Sequence, residues 1–210
     1  MFSYDASMHR VALLVSGASG MRLPIHLLAA LAKQPAIERI HLVVSAGASQ
    51  VLAHELSRKR TGAGELVQAA LPAADDAAAR DRITVHRDNE LDAPIASGSY
   101  PLAGTVILPC SAATIGALAT GSGHSLIHRA GAVALKERRP LVLGFRETPL
   151  TAIHLENLRR LTYSGAVVLP PIPAFYIGGE EFGRFLDHYA LRVLDQLGIE
   201  DEGSPGLRWQ

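Results

Sequence analysis

Five times along the chain, a largely apolar run of three to five residues breaks off and gives way to helical spacing. The runs are Val11–Val15, Ile40–Val44, Val106–Leu108, Leu141–Gly144 and Val167–Leu169. Runs that short, apolar rather than alternating, read as strands buried on both faces. Strands joined by helices pair in parallel through right-handed crossovers. The pattern therefore predicts a three-layer α/β/α architecture, a Rossmann-like (flavodoxin-like) parallel sheet, with a shorter strand added at Ile83–His86. Such a sheet binds ligands at the carboxyl ends of its strands. The turns there would collect Ser19, Ser45, Ser111, Thr114, Arg146, Glu147 and Tyr176.

The 210 residues, 48% of them hydrophobic, suffice for one sizeable core, so residues 1–210 are expected to form a single domain with tails at 1–9 and 201–210. Twenty basic and twenty acidic residues cancel, which gives a nucleic-acid or anionic-membrane surface no support. The single Cys110 excludes an internal disulfide, and no leader or apolar run of about 18 residues stands out. A cytoplasmic protein without a membrane span is expected. The nine histidines are scattered without metal-ligand spacing, so no metal is expected.

The first strand runs into Ser16-Gly17-Ala18-Ser19-Gly20, a turn that offers unpaired N–H groups to a phosphate or serves only to pack a helix. The next helix, from about Arg22, has Leu23, Leu27, Leu28 and Leu31 on one face. Glu55, after His54, reads as a solvated helix residue. Residues 57–82 carry Arg58-Lys59-Arg60 and a short helix from Glu65, and suggest a surface flap or an oligomer contact. Residues 92–99 read as a small-residue turn. Past Pro109-Cys110-Ser111, a helix carries Arg129 and Lys136 seven residues apart, on one face and about 10 Å apart along the axis. Thr148 is placed to cap a helix that begins with Pro149. The prolines of Pro170-Pro171-Ile172-Pro173 stiffen a connection that would hold the Tyr176 hydroxyl over the strand ends. A last helix would bury Phe182, Phe185, Leu186, Tyr189, Val193 and Leu197, with Arg192 on its outer flank. Trp209, in the tail, is expected to dock on its own or another subunit.

Four linked motifs, PCS-x-x-T, LI-x-RA-x-x-V-x-LKERR, RETPL-x-x-IHLEN and GAVVLPP-x-PAFY, resemble the UbiX-type flavin prenyltransferase family in order and spacing, from Val11 to the closing Arg208-Trp209-Gln210. The resemblance implies transfer of a dimethylallyl group from dimethylallyl phosphate to reduced FMN, giving the prenylated flavin for a partner UbiD-type decarboxylase. It implies an FMN site at Gly17, Ala18, Ser19, Ser45, Ser111, Ala112, Ala113, Thr114 and Arg146. It puts Arg129, Lys136, Tyr176 and Arg192 on the substrate phosphate, and catalytic roles on Glu147, Glu55, Ser19 and Lys136. Members assemble as homo-oligomers, a dodecamer being the assembly suggested, with sites at subunit contacts.

The chain departs from the family pattern where GASGAxYGxRLL becomes GASGMRLPIHLL, PCSMKT becomes PCSAAT, and VPRETP becomes GFRETP. Ala113 thus replaces a lysine near the flavin, and Phe145 a rigid proline. Two alternatives stand beside prenyl transfer. One is an FMN-dependent cysteine decarboxylase-like enzyme, whose PxSANT motif would need asparagine at position 113. The other is a non-catalytic FMN carrier or partner subunit.

Overall fold

Residues 9–59, 61–73, 76–177 and 181–200 are described by the computed structural model. Arg60, Trp209 and the tails 1–8 and 201–210 lie outside them. His9, assigned to the tail, instead opens the first strand, where its N–H bonds Ala36 O.

The chain runs β1 (His9–Val15), α1 (Arg22–Lys33), β2 (Ile37–Val44), α2 (Ala46–Glu55), α3 (Ala63–Ala70), α4 (Ala77–Asp81), β3 (Ile83–His86), β4 (Gly104–Cys110), α5 (Ala112–Thr120), α6 (Leu126–Lys136), β5 (Leu141–Phe145), α7 (Ala152–Tyr163), β6 (Val167–Val168) and α8 (Phe182–Gln196). All pairings are parallel, and the sheet order is β3-β2-β1-β4-β5-β6. This is the doubly wound order in which direction reverses between β1 and β4. β4 extends past its apolar run: Pro109 and Cys110 remain in the strand, and the break shows as a register shift between Ile107 and Cys110.

Alternate residues of the strands feed two cores. Val11, Leu13, Leu42 and Val106 pack under α1, α3 and α8. Ala12, Leu14, Ile107 and Leu143 pack under α5, α6 and α7. Residues 57–82 are not a flap, because Leu66, Ala70 and Leu71 are buried in the first core and α3 lies on α1. α3 begins at Ala63, where the Glu65 carboxylate accepts the Gly62 N–H at 2.8 Å.

Thr148 caps nothing. α7 begins three residues beyond Pro149, because Thr151 accepts the His154 N–H and donates its own N–H to His154 Nδ1. Leu150, Ile153, Leu158 and Leu161 recur at helical spacing, yet of these Leu161 is buried and Ile153 is 72% exposed. On α8, Leu186, Tyr189, Val193 and Leu197 are buried, whereas Phe182 is 56% exposed. Among the described residues no helix is long and apolar enough to cross a membrane.

Candidate functional site

The β1 and β4 ends are joined by a residue that sequence reasoning passed over. Ser16 is buried; its hydroxyl donates to Pro109 O at 2.9 Å and accepts the Ser111 N–H at 2.8 Å. One hydroxyl thus satisfies two backbone groups at the point where the sheet order reverses. Its place as the first polar residue after β1 was the available signal.

Around that point the strand ends carry hydroxyl caps. Ser45 accepts the Ala48 N–H at the start of α2; Ser111 accepts the Thr114 N–H at the start of α5 and pairs with the Thr114 hydroxyl at 3.0 Å. A capping hydroxyl accepts through its lone pair and still has a proton to donate, so Ser45 can also bind an anion. The Gly17 turn lies against the Gly47 turn, where a Cβ on Gly17 would sit 3.1 Å from the Gly47 carbonyl carbon. A side chain there would crowd the Gly47 backbone, so glycine suits the close approach. Ala18 and Ser19 continue the turn, and Gly20 closes it at φ +110. Ala112 and Ala113 open α5, with Ala113 exposed where the family lysine would stand.

Glu55 is not simply solvated. From the end of α2 its carboxylate accepts the Gly20 N–H at 2.8 Å and the Met21 N–H at 2.7 Å. Met21, the residue before α1, has no side-chain cap, so Glu55 supplies from 34 residues away what local sequence does not.

Beside this turn opens a cleft of about 1150 Å³. Ser19, Glu55 and Arg146 line its polar side, and Leu23, Phe182 and Phe185 belong to its apolar wall. Arg146 enters from the end of β5. Glu147 beside it is exposed, and its carboxylate accepts the Thr148 N–H at 3.1 Å. Since α7 starts five residues later, that helix's N-terminus is not what faces Glu147. Phe145 is buried edge-on against His154, the residue that bonds back to the Thr151 cap, and so ties the first turn of α7 to the strand end.

The expected cations do not gather at this edge. α6 returns the chain to the amino end of the sheet, so Lys136, in its last turn, lies near the start of β5, and Arg129 lies about two turns nearer the carboxyl edge. Arg129 Nε donates to Ala96 O at 2.9 Å, leaving its two terminal nitrogens without a partner among the described residues. Lys136 Nζ pairs with Glu137 beside the Gly98 turn, whose backbone Arg139 also holds through Gly98 O and Tyr100 O.

Tyr176 and Arg192 are on the other side of the sheet. The Tyr176 hydroxyl is 3.2 Å from His188 Nε2 on α8, where the chain after Pro173 turns onto that helix. Arg192 pairs with Asp195 at 2.8 Å. With α6 and α8 in opposite layers, on the order of 20 Å separates their axes. One chain does not bring the four phosphate candidates to one point. Burial pushes the Cys110 thiol up, which leaves it protonated and inert.

A protein-family model described as Flavoprotein matches residues 2–188. The chain is 40% identical over 200 residues to a Pseudomonas aeruginosa protein named flavin prenyltransferase UbiX, covering 95% of this chain and 93% of that one. Among solved structures it resembles a dodecameric FMN-dependent UbiX-like decarboxylase from Escherichia coli O157:H7, with TM-score 0.80, 35% identity, and 96% and 98% of the two chains covered. It also resembles a UbiX protein in complex with FMN and dimethylallyl pyrophosphate, with TM-score 0.78, 34% identity, and 97% and 100% covered.

Proposed function

Since the chain belongs to the UbiX-type flavin prenyltransferase family, we propose that it transfers a dimethylallyl group from dimethylallyl phosphate to reduced FMN, in the cytoplasm and as one flavin-binding domain. The observation that carries this reading is the carboxyl-edge cleft, where Ser19, Glu55 and Arg146 face an apolar wall beside a glycine turn packed closely against the Gly47 backbone.

The residues fit FMN. Gly17, Ala18, Ser19, Ser45, Ser111 and Thr114 present N–H groups or hydroxyl protons at helix starts, where a phosphate is favoured, with Ala112, Ala113 and Arg146 completing the surround. Reduced FMN, when bound, supplies the electron-rich atom that takes the prenyl carbon. The chain's own task is to let the allylic carbon–oxygen bond break. The leaving phosphate keeps the bonding electron pair, and Arg129, Lys136, Tyr176 and Arg192 stabilise the charge that grows on it. Glu147, exposed at the cleft's edge, handles the proton that the flavin gives up, while Glu55 and Ser19 hold the turn that orients the acceptor. The apolar wall keeps water from the cation.

The phosphate clamp closes between subunits. Its α6 half and its α8 half sit in opposite layers of one chain, so a second copy supplies the missing half. Exposed apolar side chains suited to such contacts lie at Leu150, Ile153, Leu155, Ile172, Phe175 and Phe182. A dodecamer agrees with the structural relative that assembles so, and a UbiD-type decarboxylase is the natural recipient of the product. A cysteine decarboxylase is disfavoured by Ala113, which lacks the amide of the PxSANT motif; a mere carrier would need none of the α6 cations. Incubation with reduced FMN and dimethylallyl phosphate, followed by mass spectrometry of the flavin, tests the proposal. A gain of one prenyl unit is expected, and unmodified flavin with both substrates bound would refute it.

A further inference from the structure

Beneath the Arg129–Lys136 face, four side chains from separate segments form a line. His41, in the middle of β2, places Nδ1 2.9 Å from His86 Nε2 and Nε2 2.8 Å from the Tyr100 hydroxyl. His86, the last residue of β3, places Nδ1 3.3 Å from the Glu90 carboxylate. The histidines are 3% and 6% exposed, and their rings stack at 5.2 Å between centroids. Burying two imidazoles where the neighbours are apolar is costly unless every nitrogen is bonded, and here every nitrogen is.

The line has a direction. Ionised Glu90 only accepts, so His86 Nδ1 carries the proton and its Nε2 is an acceptor. His41 Nδ1–H then donates to His86, and His41 Nε2 accepts from Tyr100 O–H. The charged groups around the line oppose an additional proton. Arg10 lies over the Tyr100 ring at 5.4 Å while paired with Glu38; Arg39 is on β2, Arg87 follows His86, and Arg139 bonds Tyr100 O. Burial first, then His86, Arg39 and Arg10, hold the His41 imidazole down at about 4, which keeps the His41 ring neutral and its two bonds directed at neutral pH.

Its far end is the 96–100 turn. Tyr100 is fixed from the sheet by His41, and the turn's carbonyls receive Arg129 from Ala96 and Arg139 from Gly98 and Tyr100, with Lys136 Nζ against Gly98. We propose that Glu90, His86, His41 and Tyr100 are positioning residues, forming one directed hydrogen-bond chain that sets the 96–100 turn and, through it, Arg129 and Lys136 for the phosphate of the prenyl donor. The inference rests on the prenyl-transfer reading above and assigns to that reaction two buried histidines and their part-buried partners, which touch neither substrate.

The test compares wild type with Tyr100→Phe, which keeps the ring under Arg10 and removes only the hydroxyl, in the assembled protein. Calorimetry on the FMN-loaded protein reads the affinity for dimethylallyl phosphate, and steady-state kinetics separate KM from kcat. The variant should bind the donor about tenfold more weakly, on the scale of one lost hydrogen bond to an imidazole, with kcat/KM for the donor lowered at least as much and FMN affinity within about twofold. Equal donor affinity in both proteins, with lower thermal stability in the variant, would overturn the inference and reduce the line to core packing. Wild-type protein that binds FMN but no dimethylallyl phosphate would instead overturn the prenyl-transfer reading itself, and this inference with it. Should the variant not assemble, nitrogen NMR of the wild-type imidazoles decides. Both histidines should be protonated at Nδ1 alone, and a proton on His41 Nε2 at neutral pH would contradict the chain.

Discussion

The carboxyl edge of the sheet and the outer face of α6 are organised in opposite ways. At the carboxyl edge nearly every group is held within the chain: Ser16 bridges β1 and β4, Ser45 and Ser111 cap helices, and Glu55 fixes the turn before α1. On α6 the two cations point outward; among the described residues Arg129 keeps two terminal nitrogens open and Lys136 pairs with its neighbour Glu137. A region that one chain completes can be preorganised during folding. A region that leaves charge unpaired at the surface is organised for something that arrives later, here a phosphate and a second subunit.

The sharpest way to break this contrast is Lys136→Ala. If α6 serves the donor alone, single-turnover prenyl transfer should slow by an amount equivalent to about 2–4 kcal/mol in the barrier, with FMN affinity unchanged. Near-normal rates would make the cations a solvated surface.

Acid should act on the region beneath α6 before it acts on the carboxyl-edge turns. His41 has its ordinary value of 6.5 in the unfolded chain and about 4 when folded, so below pH 6.5 the unfolded state takes up a proton that the folded state refuses. Stability is therefore full above pH 6.5, falls as the pH drops toward 4, and levels off below, for a loss of about 3 kcal/mol from this group. Denaturant titrations between pH 7.5 and 4 should show the decline in wild type and a shallower one in His41→Gln. Equal slopes would mean that other groups dominate.

Ser16→Ala probes the other region. It leaves the Ser111 N–H without its buried acceptor, while Pro109 O keeps the backbone N–H of residue 16 at 3.2 Å, which should cost about 1–3 kcal/mol and weaken FMN binding. A variant with wild-type melting temperature and FMN affinity would show that the bridge is dispensable. The smallest expected effect lies at the α7 start, where Thr151→Ala should cost about 1 kcal/mol and Thr148→Ala less than about 0.5. The reverse order, measured by thermal unfolding, would restore the cap to Thr148.

How far the sequence could be read follows the same division. Parallel strands, the Ser45 and Ser111 turns and the glycine turn were legible because each depends on residues a few positions apart. Glu55 was read as solvated because its partners are 34 and 35 residues away. α7 was started too early because Pro149 is a common first helical residue, yet the reciprocal bonds between Thr151 and His154 decide the matter. Phe182 and Ile153 kept helical spacing but face outward, since periodicity reports a face and not what covers it. Arg129 and Lys136 share a helix, as their spacing implied, but spacing along a helix does not tell which end of the sheet each residue reaches, and the return of α6 to the amino end carries Lys136 away from the carboxyl edge.

The account's central claim, that the donor phosphate is held by α6 of one copy and α8 of another, is tested most directly by mixed oligomers. Lys136→Ala and Arg192→Ala chains would each be assayed alone by mass spectrometry of prenylated flavin, then unfolded together, reassembled and assayed again. Each alone should be nearly inactive. Random mixing should restore about a quarter of the wild-type sites, because a site that takes α6 from the Arg192→Ala chain and α8 from the Lys136→Ala chain is intact. A mixed oligomer as inactive as its parents would contradict the account and place all four phosphate ligands in one chain.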